Sequence, residues 1–165
     1  MKKLIIGIIL ILFSIPYCGT RAVKEIQFDR NVEGYLKRAA DANTIPLAEE
    51  QLAVALKHIE SHGMTSGYTS VIYRTPNEDV GFWYKNLAVS MMELKSVKST
   101  ASQLEKSNML MKLRETLLDD NEGDSNVTFP PGISVFPNNL AYAFFLAFSC
   151  LFAFLGSILI SWEIS

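Results

Sequence analysis

His58 and His62, the only histidines of the chain, stand four residues apart. On a helix that spacing puts both imidazoles on one face, where two nitrogen ligands can begin a metal site. The stretch His58-Ile59-Glu60-Ser61-His62 is not the metalloprotease motif, because its glutamate is displaced by one position and turns to another face. Spacing identifies no third ligand, and both side chains also suit the last turn of a helix, near the negative end of its dipole. A second group with chemical reach is aromatic. Phe82-Trp83-Tyr84, with Tyr68 and Tyr73 upstream, could line a ligand pocket, although aromatics at a helix start more often join a core. There is no Gly-x-Ser-x-Gly, no Walker loop and no cysteine between Cys18 and Cys150. The expected class is therefore not an enzyme, with no cofactor.

The elements that must position these residues read as helices. From Arg21 to Asn43, the residues Phe28, Val32, Tyr35, Ala39 and Ala42 recur at helical spacing. Asn43-Thr44-Ile45-Pro46 then supplies a cap and an early proline, and Leu52, Ala55, Leu56 and Ile59 make the apolar face of a second helix ending at His62-Gly63. Thr75-Pro76-Asn77-Glu78 has the form of a capping box, so loss of Thr75 should cost about 1 kcal/mol. The helix it opens points Val80, Trp83, Leu87, Met91 and Leu94 inward. Thr100-Ala101-Ser102-Gln103 is a further capping box for a fourth helix reaching about Leu118. That helix has two apolar sides: Leu104, Met111 and Leu118 every seventh residue, and Met109, Leu110, Leu113 and Leu117 opposite. Such a helix is either central in its own bundle or shared with a partner, which would dock on the stripe of Leu104, Met111 and Leu118.

The ends belong to a membrane. From Leu140 to Ile160 no residue is charged, which predicts a transmembrane helix over 139–162 with a short tail at 163–165. At the other end, Lys2 and Lys3 precede the apolar block Leu4 to Phe13, with Pro16 expected to break the helix beyond it. Residues 1–19 are therefore a signal peptide or a signal anchor. No Ala-x-Ala site is present, and Tyr17 before Cys18 departs from a lipoprotein box. Small residues near Ser125 followed by a spacer and an apolar tail resemble a lipid-anchor signal, but further residues follow the apolar run. Positive charge at the N-terminus, and none after Arg114, places residues 20–138 on the extracytoplasmic side. In the C-terminal helix, Ala143, Ala147, Cys150, Ala153 and Ser157 share one arc. Small side chains there would admit a second helix, whether the N-terminal anchor, another copy or another membrane protein.

The expected class is thus all-α: an extracytoplasmic bundle of about four helices over 20–119, an extended Pro-, Gly- and acid-rich tether over 120–138, and the two membrane-directed ends. Apart from Lys2, Lys3 and Glu163, the chain carries 13 basic and 16 acidic side chains, a balance that excludes nucleic acid as partner. The expected function is a membrane-tethered binding or scaffold module. It would contact the lipid bilayer and another membrane or envelope protein, or a second copy of itself. The alternative is a ligand-responsive sensor or accessory subunit built on the loop Gly63 to Thr75, and the third is a metal-binding module using His58 and His62.

Overall fold

The computed structural model describes residues 2–121 and 124–164; Glu122 and Gly123 of the expected tether, with Met1 and Ser165, lie outside the described residues. Helices dominate: α1 (Lys2–Phe28), α2 (Gly34–Ala40), α3 (Ile45–Ser61), α4 (Val80–Ser96), α5 (Gln103–Leu117) and α6 (Asn139–Ile164), with a short hairpin of β1 (Leu118–Asn121) and β2 (Asp124–Val127). The chain divides into two compact units, residues 27–137 and the pair of segments 2–26 and 138–164.

The larger unit is a helical bundle whose core follows the 3.6-residue pattern. Val32 from the π-helical turn Asp29–Glu33, Leu36 and Ala39 from α2, and Ala48, Leu52, Ala55 and Ile59 from α3 are fully buried. Val80, Trp83, Leu87, Met91 and Leu94 line the inner side of α4, and Leu113 and Leu117 that of α5. Packing of these apolar stripes provides most of what holds such short helices in place.

Two helix starts differ from the sequence expectation. The Glu78 carboxylate does accept the Thr75 N–H (3.1 Å) and hydroxyl (2.7 Å), but the turn they close is a separate 3₁₀ helix, Pro76–Glu78. The cap of α4 is Asp79, whose Oδ1 accepts the Phe82 N–H at 2.9 Å. Asp79→Ala is therefore expected to cost about 1 kcal/mol, and Thr75→Ala less, in urea unfolding of the full chain. The second box lies two residues beyond Thr100 and Gln103. The Ser102 N–H and hydroxyl donate to Glu105 (2.7 and 3.0 Å), and the Glu105 N–H returns to the Ser102 Oγ. These bonds hold the Glu105 carboxyl below its ordinary value of 4.5. Their contribution is present above that value and is lost as the pH falls through the lowered one.

The expected tether is largely packed. Leu118 pairs with Val127 across the hairpin, and Val127, Ile133 and Val135 are buried. The Trp83 indole N–H donates to the Thr128 carbonyl at 3.0 Å, and Phe129 meets Phe28 edge-on at 5.2 Å. Gly67, at φ +102, lets Phe136 approach to within 3.4 Å of where a Cβ would sit. The proline-rich stretch thus closes the bundle rather than reaching away from it.

The smaller unit is an antiparallel helix pair. Both of its helices are long and apolar enough to cross a membrane, and α1 runs through Pro16 instead of ending there.

Candidate functional site

Three places hold the residues that the sequence singles out. The first is the pair of apolar helices. Lys3 lies over the Trp162 ring at 5.5 Å, and Tyr17 meets Phe145 edge-on at 5.6 Å, so the contact spans residues 3–17 of α1 and 145–162 of α6. At its centre the backbones touch. A Cβ on Gly7 would lie 2.8 Å from the Gly156 carbonyl oxygen and 2.7 Å from Ile160 Cγ1, and one on Gly156 would lie 2.7 Å from the Gly7 oxygen. Only glycine permits this approach, the kind of contact that holds helices together where lipid surrounds them. The small residue arc expected from sequence is not the face in contact. Ala143, Ala147, Cys150 and Ser157 are exposed and Ala153 is half-buried, while Ser149 and Gly156 are buried. The α1–α6 contact runs through Gly156 instead, where the missing side chain lets the two backbones meet.

The second place is α5. Leu113 and Leu117 face the core, with Met109 and Leu110 partly buried against it. Leu104 and Met111 stand on the other side at 70% and 57% exposure. Leu118 does not complete their stripe, since the chain leaves the helix there, enters β1 and buries this side chain. On α4, Phe82 and Met92 also face outward at 62% and 61% exposure. Of the aromatic group, Trp83 belongs to the core, Tyr84 donates its hydroxyl to Glu60 (2.9 Å), and Tyr73 is exposed. The Glu60 carboxylate raises the Tyr84 phenol above its ordinary range.

The third place is the histidine pair at the end of α3. The two rings stack with centroids 3.9 Å apart. The His62 Nδ1–H donates to the His58 carbonyl oxygen at 2.9 Å, so His62 closes the last turn of the helix. Burial, and then the neighbouring His62, lowers the His58 pKa from its ordinary 6.5. Among the described residues no three His, Cys, Asp or Glu side chains are grouped to hold a metal ion. Cys18 and Cys150 are free and exposed.

In comparisons with known proteins, no family model, curated protein or solved structure matches this chain.

Proposed function

We propose that the chain is a membrane-anchored binding module, in which two spans hold a helical domain on the extracytoplasmic side so that it can grip another membrane or envelope protein. The orientation rests on Lys2 and Lys3 and the lack of basic residues after Arg114. Lipid contact is supported by the outward Phe144, Phe148, Leu151 and Phe154 of α6. The observation that carries the binding role is the exposure of Leu104 and Met111 on a helix whose other side already fills the core. Apolar side chains presented this way fit a partner helix or groove.

The test is Met111→Glu together with Leu104→Glu in the full chain. Because both sites are exposed, the urea midpoint should stay within about 0.5 kcal/mol of the parent, while photo-crosslinking from Asn108 to a discrete neighbour in native membranes is lost. Crosslinking that persists in the variant would dismiss this surface as the place of contact.

A further inference from the structure

Three lysines line one cleft of the bundle. The first turn of α3, the end of α4 and the start of α5 enclose a space of about 660 Å³, within the roughly 300–1,000 Å³ of small-molecule sites. Its floor is apolar, with Ile45 and Leu94 buried and Val97 and Leu110 half-buried. Lys95, Lys98 and Lys106 line it together with Thr44, Ser99 and Ser107.

Among the described residues none of the three lysines is in an ion pair, whereas Lys112 and Arg114 on the same helix α5 are bound to Glu93 and Asp41. Glu49 also lines the cleft but pairs with none of them. Lys106 is half-buried and spends one N–H on the Ser99 carbonyl, at 2.9 Å, leaving two donors unused. The chain as a whole is acidic, at −2, so this local excess of positive charge is not a sample of a basic surface. Lysine charges that line one cleft repel one another, and a compact anion relieves that repulsion while accepting the unused hydrogen bonds.

We propose that this cleft binds a phosphate monoester with a short apolar body, its dianion between Lys95, Lys98 and Lys106 and its hydrocarbon on Ile45, Leu94 and Val97. Lysine binds phosphate as a point charge without the planar geometry that arginine demands, and three of them match a group with several equivalent oxygens. The phosphate can belong to a soluble molecule or to the headgroup of a phosphatidic acid. Leu104 and Met111 are not among the residues that line it, and its occupation does not depend on a protein partner.

Calorimetric titration of the full chain in phosphatidylcholine nanodiscs tests this with hexyl phosphate and inorganic phosphate as probes. Hexyl phosphate should bind saturably and at least about tenfold more tightly than inorganic phosphate, through burial of its methylenes. Lys95→Gln with Lys98→Gln, both exposed positions, should weaken it by about tenfold or more through loss of charge-assisted bonds, while Lys57→Gln leaves it unchanged. Adding phosphatidic acid to the nanodiscs separates the sources: competition with hexyl phosphate assigns the site to lipid, and undiminished binding assigns it to a soluble ligand. Absence of saturable binding, or affinity indifferent to the double substitution or to the hexyl chain, would overturn the proposal.

Discussion

Leucine in place of Gly7 or Gly156 is expected to separate the two apolar helices. At both positions a single added carbon already falls 2.7–2.8 Å from the backbone of the other helix, and backbone, unlike a side-chain tip, cannot turn aside. An isobutyl group must therefore push the axes apart and release contacts along the seam as far as Tyr17 and Phe145. With Cys18 and Cys150 changed to serine, Tyr17→Cys and Phe145→Cys should form an oxidative crosslink within the parent chain. Its yield should drop about tenfold in Gly7→Leu or Gly156→Leu, the ratio set by about 1.4 kcal/mol. The control is Phe148→Leu on an exposed face, which should leave the yield intact. Equal crosslinking in all variants would mean that the glycines do not govern the pairing.

The bundle has a comparably sensitive point in Trp83. Its side chain is 7% exposed, and its indole N–H ties α4 to the Thr128 carbonyl in the segment that follows the hairpin. Trp83→Ala should cost about 3–5 kcal/mol from the cavity alone, and the orphaned carbonyl adds about 1 kcal/mol. Against a total of about 5–15 kcal/mol for a domain, that approaches unfolding. Trp83→Phe keeps most of the apolar volume and should fall between the two. Urea midpoints of the full chain in detergent, followed by circular dichroism, should rank parent, Phe and Ala in that order. An alanine variant within about 1 kcal/mol of the parent would remove Trp83 from its central place.

The helices were legible because burial repeats with their period. Val80, Trp83, Leu87, Met91 and Leu94 are buried as that period predicts. Their starts were harder, since Thr75 and Asp79 are rival caps four residues apart and only the intervening 3₁₀ turn decides between them. Leu118 misled because a heptad cannot show that the chain has changed from helix to strand. In the stretch after it, proline and glycine suggested an extended tether, while Val127, Ile133 and Val135 find partners only in the folded bundle. The glycine seam escaped for a related reason. Gly7 and Gly156 are each unremarked alone and acquire meaning only as a pair, from opposite ends of the sequence. The lysine cleft likewise draws on three elements, and lysines are too common on surfaces to stand out by spacing.

The most direct test of a retained two-span anchor displaying the bundle outside is accessibility to a membrane-impermeant thiol reagent, in chains with Cys18 and Cys150 changed to serine. Tyr73→Cys, on an exposed loop of the bundle, should label in intact cells. Ser161→Cys, near the end of α6, should label only after lysis, and the intact mass of both chains should include the residues of α1. The reverse labelling pattern, or a mature chain that has lost the segment before Arg21, would contradict it.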